Sequence, residues 1–104
     1  MICATWLKRG DSLCGFSVQG HSGAAPSGRD IVCAAVSSAA YMAANTITEV
    51  CGCSADIREE DGLLTVMIDT NADNAQTILK GFKLHIEGLA EQYPKFIKTQ
   101  LTEV

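Results

Sequence analysis

From Ile31 to Thr48 the chain carries no charged side chain. The run is rich in alanine, the strongest helix former. Asp30 stands before it as an N-cap candidate, and Gly52 follows as a stop. Together these predict a helix from Ile31 to about Val50. A helix that is apolar or small nearly all round must be buried on more than one side. In a chain of 104 residues this implies a sheet against one side and a second subunit against the other. Ser37, Ser38, Asn45, Thr46 and Thr48 interrupt the run and make it a poor membrane span.

The flanking segments have the period of strands. Residues 2–9 place Ile2, Ala4 and Trp6 on one face, and residues 12–19 alternate Cys14, Phe16 and Val18 inward. Gly10-Asp11 turns between them. Residues 54–60 and 63–69 flank Asp61-Gly62, a strong short hairpin signal, with Leu64, Val66 and Ile68 on the core face. A second helix is expected from a cap at Asn71 or Asp73 to about Gln92. Its stripe is Ile78, Phe82, Ile86, Leu89 and Tyr93, and Pro94 ends it. Residues 95–101 read as an optional closing strand. The order ββαββα(β) predicts an α/β, more narrowly α+β, domain of two layers. Its sheet is mostly antiparallel or mixed and packs against the two helices. One domain spans residues 1–104.

Composition narrows the function classes. With 47% hydrophobic and 19% charged residues, the chain is neither disordered nor a coiled coil. A formal charge of −4 lacks the basic footprint of a nucleic-acid binder. Cys3, Cys14, Cys33, Cys51 and Cys53 are an odd set, and residues 1–9 do not read as a signal peptide. A reducing cytoplasm with free thiols is expected, and small buried hydrophobes are the default reading of the cysteines.

Chemistry concentrates in Gly20–Ser37. Residues 20–29, GHSGAAPSGR, form a glycine-rich loop expected to be flexible. With Asp30 as N-cap, Cys33 lies in the first turn of the helix, where the macrodipole favours a thiolate. His21 heads the loop, and a loop of this length can return its imidazole to the helix start. Thiolate, imidazole and the amides of the helix start are the three parts of nucleophilic cysteine catalysis. Ser37 follows Cys33 by one turn on the same face. A core cysteine, a solvated histidine, a back-bonded serine and a structural cap at Asp30 are the plainer readings of the same residues.

Other constellations are poorer. Cys51-Gly52-Cys53 has neither zinc-knuckle nor redox spacing, so core or helix-end cysteines are expected, and no metal or other cofactor. His85 reads as packed or half-exposed, Glu59-Glu60-Asp61 as a solvated hairpin tip, and Trp6 as core. The loop lacks the lysine and glycine spacing of a phosphate-binding loop.

The stretch GHSGAAPSGRDIVCAAVS resembles the signature of the ribosomal-processing cysteine protease (Prp) family. Matching positions are Gly20, His21, Gly28, Asp30, Ile31, Val32, Cys33, Ala34, Ala35, Val36 and Ser37. Ser22 departs from it, where the family often has alanine. The resemblance implies a cysteine endopeptidase of mixed α/β fold, working as a homodimer. Cys33 is then the nucleophile and His21 the base and acid. Gly20, Gly28, Asp30 and Ser37 are supporting positions, and the loop closes on substrate. It also implies the substrate: a large-subunit ribosomal protein, number twenty-seven. Its short N-terminal extension would be removed after an aromatic-alanine pair. Two other readings remain at this level: a peptide-binding module with an inert Cys33, and a redox-sensing thiol.

Overall fold

The computed structural model describes residues 1–21, 23 and 30–104. Five strands and two principal helices follow the expected order. The strands are β1 (Ile2–Arg9), β2 (Ser12–Gly20), β3 (Ser54–Glu60), β4 (Leu63–Thr70) and β5 (Ile97–Glu103); the helices are α1 (Ile31–Asn45) and α2 (Gln76–Gln92). They form one sheet in the order β3-β4-β2-β1-β5. Three pairings are antiparallel, and β5 runs parallel to β1.

Both hairpins form where the turn signals stand. Gly10-Asp11 joins β1 to β2, with Arg9 opposite Ser12. Asp61-Gly62 joins β3 to β4, with Glu60 opposite Leu63. Two irregularities were not foreseen: the β3–β4 register shifts between Ser54 and Ala55, and β2 bulges against β1. The partner of β1 steps from Gly15 at Leu7 to Leu13 at Lys8, so β2 bulges at Cys14. The local twist of such a bulge lets Leu13 and Cys14 both be buried.

The core lies between the sheet and the helices. Trp6 and Phe16 stand opposite each other on β1 and β2. Phe82 of α2 packs on both rings, with centroids 5.6 and 4.7 Å away. The expected stripe of α2 is displaced. Leu79, Phe82 and Ile86 are buried, while Ile78, Leu89 and Tyr93 are only partly covered. Leu79 lies one turn before Phe82, so the buried line is centred on its side of the helix.

Three boundaries differ from the sequence expectation. The helical stretch runs to Val50, but Thr46–Val50 is a wider π turn. Neither Asn71 nor Asp73 caps α2. Asn71 adopts φ 64° with no side-chain cap, ahead of a tight 3-10 turn over Ala72–Ala75. Gln76 then opens α2 and holds β2 through both amide atoms: Leu13 N donates to its Oε1 at 2.9 Å, and its Nε2 donates to Leu13 O at 2.7 Å. The last strand begins at Ile97 rather than Lys95 and gains its place through β1.

Ile31–Val50 is long and apolar enough, with a mean hydropathy of 1.4, to cross a membrane by length and composition. Here Val32, Val36, Ala40, Ala43, Ala44 and Ile47 belong to the core. The other side carries Ile31, Met42 and Val50 at 71%, 54% and 78% exposure. Among the described residues, only one side of this helix is covered.

Candidate active site

Asp30 organises the start of α1 as its composition predicts. Its Oδ1 accepts from the Cys33 amide at 2.9 Å, and its carbonyl accepts from the Ala34 amide at 3.0 Å. This is an N-cap reaching the third helical residue. It also commits the Cys33 amide, so an oxyanion bound here draws on other donors. The Cys33 side chain is left half-buried.

His21 follows the last residue of β2. Gly20 turns the strand end with φ 96°, and a Cβ there would collide with the Met1 carbonyl. Only glycine accepts both conditions. The Gly20 amide donates to Gly62 O at 2.8 Å. The Met1 amino group donates to the His21 carbonyl. The histidine backbone is thereby held against the β3–β4 hairpin on one side and the β1 end on the other. Gly28 and most of the glycine-rich loop lie outside the described residues.

One cavity of about 250 Å³ collects the site. Strand β2 contributes Val18 and Gly20, followed by His21. Helix α1 contributes Cys33, Ser37, Ala40 and Tyr41, and the β3–β4 hairpin contributes Glu60 to Leu64. His21, Cys33, Ser37 and Gly20 thus meet, as the sequence suggested. Asp30 stands behind Cys33 as its cap. Val18 is half-buried: it packs against the edge of the core and also lines this opening.

Glu59, Glu60 and Asp61 are all exposed, as a solvated hairpin tip requires, and the hairpin also has a share in the cavity. Glu60 and Asp61 line the wall, and Glu60 also pairs with Arg58 at 3.1 Å on the surface. Glu59 reaches Tyr41. Its hydrogen bond, with lesser help from desolvation and its negative charge, pushes the Tyr41 phenol above its ordinary pKa. Tyr41 was missed in the sequence although a signal existed. It follows Ser37 by four residues and Cys33 by eight, which puts all three on one helix face. For the hairpin there was no local signal, because strand order alone brings it to α1.

The remaining cysteines and His85 stand apart. All five thiols are free. Cys53 is buried and donates to the Asn71 carbonyl at 3.2 Å. Burial, then the neighbouring Cys51, pushes its thiol pKa up. His85 is exposed on α2 rather than packed, in keeping with the half-exposed alternative. Among the described residues, no group of three or more His, Cys, Asp or Glu side chains could hold a metal ion.

Known proteins share this fold. The ribosomal processing protease Prp of S. aureus, solved with a covalently linked product peptide, superposes with a TM-score of 0.88 at 27% identity, covering 98% of this chain and all of that one. The same protein with a substrate peptide gives 0.82 at 26% identity, with the same coverage. SMU.848 of Streptococcus mutans gives 0.80 at 33% identity over 100% of this chain and 96% of its own. No curated protein sequence matches the chain. The family model described as Cysteine protease Prp matches residues 1–98, so the chain is a cysteine protease and a member of the Prp family.

Proposed function

We propose that this protease removes the N-terminal extension of large-subunit ribosomal protein twenty-seven through a Cys33–His21 dyad. The reading is carried by the single cavity that Cys33 and His21 share. The substrate follows from likeness to the S. aureus enzyme, which is described as a ribosomal processing protease and binds peptide.

Cys33 Sγ, its proton passed to His21, attacks the scissile carbonyl carbon, and the π pair moves to oxygen. Collapse of the tetrahedral adduct breaks the C–N bond. The departing amine takes the proton from His21, leaving a thioester on Cys33. A water molecule then gives a proton to His21 as it attacks the thioester, and the acid product and the thiol are released. Asp30 positions the nucleophile by fixing the first turn of α1. Ser37, one turn along, would hydrogen-bond the dyad or the peptide. Closure of the glycine-rich loop, Gly28 included, would order the site only around bound peptide.

The working form in this reading is a cytoplasmic homodimer. Free thiols fit a reducing compartment, and the exposed apolar side of α1 offers a surface that a second copy would cover.

The test mixes the enzyme with the extended ribosomal precursor and follows products by intact mass. One cut after the aromatic-alanine pair is expected. Cys33→Ala and His21→Ala should each slow it by a factor on the order of 10³ or more while the fold persists. Full activity in Cys33→Ala would remove the nucleophile assignment. Binding without cleavage by the unaltered protein would make it a peptide clamp.

A further inference from the structure

We propose that Gly62, at the tip of the β3–β4 hairpin, is a positioning residue for the His21 imidazole. The inference rests on the assignment of His21 as the catalytic base. A Cβ added at Gly62 would stand 3.0 Å from His21 Nε2, 3.6 Å from Cδ2 and 3.7 Å from Cε1. The ring therefore lies against the bare Cα of Gly62, and any side chain there displaces it by a few tenths of an ångström.

A second, independent tie points the same way. The Gly20 amide donates to the Gly62 carbonyl at 2.8 Å. One hairpin residue thus fixes the backbone entering His21 and supports the ring leaving it. Gly62 also takes φ 72°, a backbone that L side chains rarely adopt, so a loss of function on substitution could reflect backbone strain alone. The molecule contains its own control. Gly10, in the β1–β2 turn, takes φ 63° with nothing within 4 Å of its added Cβ. Substitution at Gly10 carries similar backbone strain and touches no imidazole.

Asparagine tolerates this backbone region better than other side chains, so the paired variants are Gly62→Asn and Gly10→Asn. Catalysis is sensitive to sub-ångström misplacement of an acting group. Gly62→Asn is expected to lower kcat roughly tenfold with little change in KM, and Gly10→Asn to stay within about twofold of the unaltered enzyme. A second readout needs no turnover. In a Cys33→Ala background, the His21 ring resonances should move with Gly62→Asn and not with Gly10→Asn.

Unmoved His21 resonances in Gly62→Asn overturn the proposal, whatever happens to the rate. So does a Gly62→Asn protein that fails to fold while Gly10→Asn folds, because the glycine then serves the hairpin itself. Equal kinetics in the two variants overturn it as well. If His21→Ala keeps its activity, the dyad reading falls separately, and the resonance shifts still report whether Gly62 holds the ring.

Discussion

At the scale of single residues, Cys33 and Cys53 show how placement separates two identical side chains. Cys33 opens into the cavity from the first turn of α1. Cys53 is sealed in the core with its thiol pKa raised by burial. The thiolate is the reactive form. Timed alkylation at neutral pH, read by peptide mass, should therefore modify Cys33 well before Cys53; the reverse order would contradict the open placement of Cys33. Trp6 marks a cost at the same scale. Its indole is buried in the core, yet its N–H has no acceptor among the described residues. An unmade bond of this kind costs about 1–3 kcal/mol. The area buried by the ring and its packing on Phe82 offset it.

At the scale of elements, the start of α1 and its tie to β3 carry the site. Asp30→Ala removes the acceptor of the Cys33 amide. The expected loss is about 1 kcal/mol of stability, read as a lower denaturant midpoint with an unchanged slope. Asp30→Asn, which keeps an acceptor oxygen, should recover most of it. Glu59 of β3 favours the protonated phenol of the exposed Tyr41 on α1, a contribution that needs the phenol protonated. The phenol pKa is raised in the folded protein, so this contribution is complete below the unfolded value near 10. It is lost as pH rises through the higher folded value. Ultraviolet titration of the tyrosines should show Tyr41 ionising above 10, and Glu59→Gln should bring it back toward that value. No change in Glu59→Gln would break the link.

Elements also show where reading the sequence worked and where it stopped. The two hairpins and α1 were legible because their signals are local: a turn pair, an alternation, a cap, an uncharged run. Leu79 was missed because the stripe was followed in steps from Ile78. A shift of one position turns a helix by about 100°, and packing against Trp6 and Phe16 chose the phase. The start of α2 was missed because Gln76 is held by Leu13, a residue remote in the chain.

At the scale of the whole molecule, the uncovered side of α1 is the main open surface. Ile31, Met42 and Val50 are all exposed there. In a homodimer built on this face, sedimentation should give twice the 11.0 kDa chain mass. Met42→Glu would bury a charge and shift the mass toward that of a single chain. A dimer indifferent to Met42→Glu would place the interface elsewhere.

What the sequence determined by itself was the inventory of elements and the family motif of Gly20–Ser37. Caps, turns and periodicity depend on near neighbours, and the motif that resembles the protease family is contiguous. The tertiary structure alone decided that β5 pairs in parallel with β1. It also decided that β4 lies beside β2, and that the β3–β4 hairpin walls the cavity of Cys33 and His21. Those are contacts between segments far apart in the chain. They are selected by closing one core around Trp6, Phe16 and Phe82, and no local preference encodes which edges then meet.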